Sequence, residues 1–164
     1  MKTLILMRHA SASSYEQEDV LRSLSNKGVQ EANDAAKFLK NFNINKILCS
    51  SALRTVETFN IIQAELKVNL VDIKPELYNT SETELLEHII SQRDIIDTLL
   101  VIAHNPSVTE LTTLLTHNSN NHEYELKESL VPSQVVVLRF FGSGWNDLHN
   151  NPVNIFSVFI PTVE

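Results

Sequence analysis

The chain has 164 residues, enough for one domain with a continuous core, and its 43% hydrophobic and 20% charged residues are ordinary for a globular protein. Its 20 acidic against 13 basic residues leave a net charge of −7, which argues against a nucleic-acid or anionic-membrane surface and requires any anion site to gather arginines locally. The lone Cys49 cannot form an internal disulfide, and the short apolar run after Lys2 is too brief for a signal peptide or a membrane span, so the cytoplasm is the expected location.

In chain order, KTLILM (2–7) is a continuous apolar run that predicts a strand covered on both faces and ending at Arg8. Residues 25–42 carry Val29, Ala32, Ala35, Ala36, Leu39 and Phe42 at a helical period, with Ser25 as N-cap. NKILCS (45–50) predicts a second strand with Cys49 as a small core residue, and 51–66 a helix whose Leu53, Val56, Phe59, Ile62 and Leu66 form its core face. NLVDI (69–73) reads as a strand, followed by a loop and a helix capped by Ser81. DTLLVIA (97–103) is the clearest buried strand and leads into a helix from about Ser107 to Leu115. The polar stretch 116–129 is loop-like in its first half. After it the period changes, and two strand runs flank a Gly-Ser-Gly-Trp-Asn connection in which Trp145 is expected to be exposed. Strands alternating with helices, then a β-rich tail with no Pro- or Gly-rich linker, predict one domain over residues 1–164. Its expected fold is a three-layer α/β/α sandwich with a mostly parallel, mixed central sheet.

In such sheets ligands bind outside the C-terminal ends of the strands. Arg8 and His9 follow the first strand, Ser50, Ser51 and Arg54 the second, and His104, Asn105 and Pro106 the DTLLVIA strand. Three segments thus bring two arginines and two histidines to one sheet edge. Arginine offers a planar fork of donors that matches phosphate oxygens, and Arg54, three residues after a candidate cap at Ser51, adds its charge to a helix N-terminus. A neutral imidazole beside them can attack phosphorus and carry the phosphoryl group covalently, while a second histidine, if protonated, would donate to the same oxygens. The set therefore reads as a phosphoryl-transfer site that needs no metal or other cofactor. His88, His117, His122 and His149 form no metal-ligand spacing.

The blocks LILMRHA, RSLSNKG, ILCSSALRTVET and LLVIAHNP, in this order from residue 4 to about 110, resemble the four blocks of the histidine phosphatase superfamily, in particular its small SixA-type phosphohistidine phosphatases. LVPSQVVVLRF resembles the turn and strand that follow in those members. The resemblance implies a phosphoglycerate-mutase-like fold, His9 as nucleophile, Arg8 and Arg54 as phosphate clamps, His104 as the second phosphate-binding histidine, and Arg22 as a further arginine on the phosphate. Asn105, next to His104, joins the candidate phosphate-binding residues, and Ser50 is the better match to the motif's serine because Ser51 stands where many relatives have proline. Where the Arg-His pair is usually followed by glycine, this chain has Ala10.

Mutases and acid phosphatases of the superfamily protonate the leaving oxygen with a carboxylic acid, and no residue matches that position clearly. Asp19 is the first candidate, three residues before Arg22, with Glu18, Glu76 and Glu16 behind it. An alkoxide needs such a proton, whereas a phosphohistidine can take one on its free ring nitrogen and leave as neutral imidazole. The short chain, without a long inserted lid, also suits a substrate still attached to a protein. The expected partner is a phosphohistidine-bearing protein. The alternatives are a small-molecule phosphomonoesterase or phosphoglycerate-mutase-like enzyme, and a catalytically silent phosphate-binding module. The sequence does not set the oligomeric state.

Overall fold

A computed structural model describes residues 1–14, 18–117 and 128–162. Strands β1 (Lys2–Arg8), β2 (Lys46–Ser50), β3 (Leu70–Lys74), β4 (Thr98–Ala103), β5 (Val135–Phe140) and β6 (Val153–Phe159) form a six-stranded sheet in the order β3-β2-β4-β1-β5-β6. The pairs β1–β4, β2–β4 and β2–β3 are parallel, and β1–β5 and β5–β6 are antiparallel. Helices α1 (Asn26–Leu39), α2 (Leu53–Leu66), α3 (Glu82–Ile90) and α4 (Ser107–Thr116) cover the two faces.

β1 shows why its sequence is unbroken apolar rather than alternating. Leu4 and Leu6 pack with Leu85, Ile89, Val108 and Leu111 of α3 and α4, while Ile5 and Met7 pack on the opposite face with Ala35, Ala36 and Leu39 of α1 and Phe59 and Ile62 of α2. A strand between two helical layers has no solvent face, so every second residue cannot be polar. The result is the expected three-layer sandwich with a mixed sheet. Ser25 and Ser81 cap α1 and α3, their hydroxyl oxygens each accepting at 3.1 Å from the backbone N–H three residues on.

The structure corrects several details. α1 ends at Leu39, short of Phe42; Val29 is exposed, and Gly28 and Glu31 face inward with the alanines. In α2 the inward face is Arg54, Thr55, Thr58, Phe59 and Ile62, whereas Leu53 is exposed. A polar inward face at the start of a helix is what an active-site layer demands, and an apolar count along the sequence does not see it. Residue Ala52, rather than Ser51, is the N-cap of α2. Trp145, expected at the surface, is fully buried in a short 3-10 turn (Trp145–His149), where its indole N–H donates to the Ile96 carbonyl at 2.9 Å. Cys49 is buried as expected, and burial pushes its thiol pKa up to about 12. Residues 118–127, which include His122, and Glu16 lie outside the described residues. Among the described residues no helix is long and apolar enough to cross a membrane.

Gly28 is where α1 meets the segment after β1. A Cβ there would lie 2.0 Å from the Ser11 carbonyl oxygen, far inside contact distance. Gly28→Ala is therefore expected to destabilise the protein by about 1–3 kcal/mol, and to lower activity because Ser11 lies two residues from His9. Denaturant unfolding beside turnover measurements checks this; an unchanged midpoint would show that α1 can shift away without cost.

Candidate active site

Strand register alone brings the predicted residues together. Arg8 pairs with Ala103 across β1 and β4, so the residues next in sequence, His9 and His104, leave neighbouring parallel strands at one level. Cys49 pairs with Ile102, which sets Ser50 beside Ala103. α2 begins three residues after Ser50 and delivers Arg54 from its second position.

His9 and His104 are both nearly buried, with ring centroids 5.2 Å apart. The His9 Nδ1–H donates to the Ala10 carbonyl at 2.7 Å, which leaves Nε2 unprotonated, with its lone pair as an acceptor. Arg54 Nε–H donates to that nitrogen at 3.3 Å. Burial lowers the His9 pKa to about 3, with the cationic side of His104, Arg54 and Arg8 adding to it and the Ala10 bond opposing. The ring is therefore the neutral, nucleophilic form at any ordinary pH. His104 Nε2 and Ser50 Oγ are hydrogen-bonded at 2.7 Å, and His104 Nδ1 is buried without a partner. Burial, then Arg54, bring the His104 pKa down to about 4, so the ring is neutral in the unliganded protein; a phosphate dianion would raise it.

The three arginines are anchored differently. Arg8 gives one terminal N–H to the Leu130 carbonyl at 2.8 Å while its buried Nε–H has no partner. Arg22 donates Nε–H to Ser13 and a terminal N–H to Asp19 Oδ1, at 2.9 and 3.0 Å. Arg54 meets Asp19 twice, at its backbone carbonyl (2.8 Å) and at Oδ2 (3.0 Å), and the Tyr78 hydroxyl donates to the same Oδ2 at 2.6 Å. Hydrogen bonds from the Tyr78 hydroxyl, then from the Arg22 and Arg54 guanidiniums, hold the Asp19 carboxyl well below the usual carboxylate range. Asp19 thus stands at the rim of the site and is ionised in the unliganded protein.

Asn105 is also redirected. Its amide N–H donates to the Leu130 carbonyl at 2.9 Å and its oxygen accepts from Thr109 of α4 at 2.7 Å, so the amide ties α4 to the segment before β5. Glu76 lies in the Pro75–Leu77 turn and is exposed, as is Glu18, and neither is bonded to a site residue.

Sequence reading missed four contributors. Thr58 accepts from the Ala10 N–H at 3.0 Å and donates to the Arg54 carbonyl at 2.7 Å, bridging the loop after His9 and Arg54. Glu31, buried on α1, takes the Ser11 N–H and hydroxyl at 2.9 and 2.8 Å. Ser133, at φ 63°, donates its N–H to both the Arg8 and His9 carbonyls at 3.1 Å. Tyr78 stands edge-on to His104, with ring centroids 5.5 Å apart, and its ring centre lies 5.9 Å from the Arg54 guanidinium. The inward i, i+4 pair Arg54 and Thr58 was legible; Tyr78 and Ser133 carry no local signal. Among the described residues no group of three or more His, Cys, Asp or Glu side chains could hold a metal.

The chain belongs to the histidine phosphatase superfamily: the model of its branch 1 matches residues 4–88, more than half of the 164. Within it the chain is similar in structure to SixA proteins. SixA from Nakamurella multipartitia superposes with a TM-score of 0.81 at 27% identity, covering 98% of this chain and 96% of that one. A structure of the protein histidine phosphatase SixA complexed with tungstate gives a TM-score of 0.78 at 21% identity, covering 95% of each chain. An uncharacterised protein of Mycobacterium leprae is 27% identical over 165 residues, 94% of this chain and 99% of its own.

Both histidine pKa values are depressed from 6.5, so the unfolded state binds protons first as pH falls. Stability from this source is complete above about pH 6.5 and is lost towards pH 4 and below. Thermal unfolding midpoints are expected to drop across that window, less steeply for His104→Asn than for the wild type. Parallel wild-type and variant curves would show instead that the imidazole is not held neutral.

Proposed function

We propose that this phosphatase works without a metal, through a covalent phosphohistidine on His9, and that its preferred substrate is phosphohistidine on a protein. The observation that carries the reading is the His9 tautomer: Nδ1–H is fastened to Ala10, and Nε2 holds its lone pair against Arg54. Nε2 attacks phosphorus, the P–Nε2 bond forms, and the bond to the leaving group breaks with its electron pair going to the leaving atom. Water then attacks phosphorus. The P–Nε2 bond breaks, the pair returns to Nε2, and both water protons stay with the phosphate until one passes to solvent.

Arg8, Arg22 and Arg54 are assigned to the phosphate oxygens. The unpartnered Arg8 Nε–H supports this, since a buried unsatisfied donor is costly unless a ligand meets it. His104 is assigned to the same oxygens, gaining its proton once the dianion is bound. Tungstate, a tetrahedral oxyanion bound by the SixA protein named above, fits such a donor set. The substrate class is supported by the state of Asp19. A carboxylate tied by two guanidiniums and a phenol has no proton for an alkoxide, and phosphohistidine needs none from the enzyme.

The test is single-turnover dephosphorylation of a phosphohistidine-bearing carrier protein, with p-nitrophenyl phosphate in parallel, for wild type and His9→Ala. The variant is expected to lose at least about a thousandfold on both substrates, with the carrier preferred by the wild type. A wild type active only on the small ester would point to a small-molecule phosphomonoesterase, and one inert on both to a silent phosphate-binding module.

A further inference from the structure

The rim of the site offers a reading of Asp19 and Tyr78 that goes beyond a missing proton donor. His9 lies at the bottom, 8% exposed, and Asp19 and Tyr78 stand at the solvent side. In-line displacement puts the leaving group opposite the nucleophile. A group that enters from solvent and is attacked from the buried floor must therefore depart past this rim.

The rim is built to stay in place. Leu77, fully buried in the core with α3, anchors the turn, and Tyr78 N–H closes it on the Pro75 carbonyl at 3.0 Å. Asn79 at φ 55° then turns the chain towards the Ser81 cap of α3. Tyr78 is thus presented from a fixed corner, with its ring as a wall beside His104 and its hydroxyl on Asp19.

A carboxylate has about four acceptor positions, and three donors reach Asp19: Arg22 on Oδ1, Arg54 and Tyr78 on Oδ2. Oδ1 retains one. When a phosphate dianion takes up the charge of the two arginines, Asp19 becomes the anion that faces the departing group.

We infer that Asp19 and Tyr78 are leaving-group selectors: an anionic acceptor and an aromatic wall that favour a flat nitrogen ring, cationic while it carries phosphorus and neutral as it leaves, and disfavour an oxyanion. This rests on the proposed phosphohistidine chemistry and names the residues that set its preference. In the step itself, the substrate imidazolium carries N–H on one ring nitrogen and phosphorus on the other. The P–N bond breaks, the pair goes to the ring, and a neutral imidazole leaves with that N–H directed at Asp19 Oδ1. A departing phenolate or alkoxide meets the same carboxylate as a like charge. Asp19 stabilises the protonated substrate relative to the neutral one in solution, so the effect lies in kcat/KM.

The experiment compares N-phosphoimidazole with p-nitrophenyl phosphate for wild type, Asp19→Asn and Tyr78→Phe. Asp19→Asn is expected to lower kcat/KM on both, because Arg22 and Arg54 lose a partner. It should lower N-phosphoimidazole further, shrinking the ratio between the two substrates by about tenfold. Tyr78→Phe keeps the wall and loses one bond to Asp19, so its ratio should shift less. Equal losses on both substrates would overturn the inference and leave Asp19 as a positioning residue for the arginines, with the phosphohistidine reading intact. A wild type active on the ester and inert on N-phosphoimidazole would overturn that reading and the inference together.

Discussion

The 2.7 Å hydrogen bond from His9 Nδ1–H to the carbonyl of Ala10 decides which ring nitrogen is free, and the chemistry of the site follows from it. It works only if the Ala10 carbonyl is itself immobile, and the loop shows how this is arranged. His9 N–H is held by the Ala103 carbonyl of β4, Ala10 N–H by Thr58 of α2, and Ser11 N–H by Glu31 of α1. Ser11's carbonyl in turn accepts from Ser25 N–H at 3.0 Å, and Ser133 N–H closes over Arg8 and His9 from the β5 side. Each bond comes from a different element, so the helical layers position one imidazole as well as burying apolar surface. The lowered histidine pKa has the same origin: the ring is enclosed by the elements that aim it.

Charge is arranged on the same principle of local exception. A chain with a net charge of −7 gathers Arg8, Arg22 and Arg54 at one sheet edge and gives each a different anchor. Burial pulls the Arg8 pKa down, and buried Glu31 on α1 opposes it from the far side of the loop. Asp19 ties Arg22 and Arg54 together at the rim, where ionic screening is strong, so its role is in geometry and leaving-group charge more than in stability.

Much of this was readable from the sequence because parallel strands impose a simple rule. β1, β2 and β4 end at one sheet edge, so the residues that follow each of them, His9 with Arg8, Ser50 with Arg54, and His104, could be placed together before any coordinates. What stayed hidden depends on orientation or on distant closure. Asn105 follows β4 immediately, yet its amide turns to Leu130 and Thr109, and adjacency in sequence does not report that turn. Asp19 was found by its spacing to Arg22, but its carboxylate is also held by Tyr78 and by Arg54, 59 and 35 residues away. Trp145 was misread because a Gly-rich connection suggests a solvent turn, whereas the turn folds back over the core and gives its indole N–H a carbonyl. The inward Thr55 and Thr58 of α2 were lost to an apolar count that took Leu53 for core.

The central claim is that His9 Nε2 is the atom that carries the phosphoryl group. The most direct measurement is rapid-quench trapping of the labelled enzyme during turnover, followed by mass-spectrometric location of the phosphoryl group. The account predicts an acid-labile, base-stable adduct on His9, attached at Nε2, that forms and decays at rates compatible with turnover. An adduct on another residue, attachment at Nδ1, or turnover at full rate in a protein that never carries the label would contradict it.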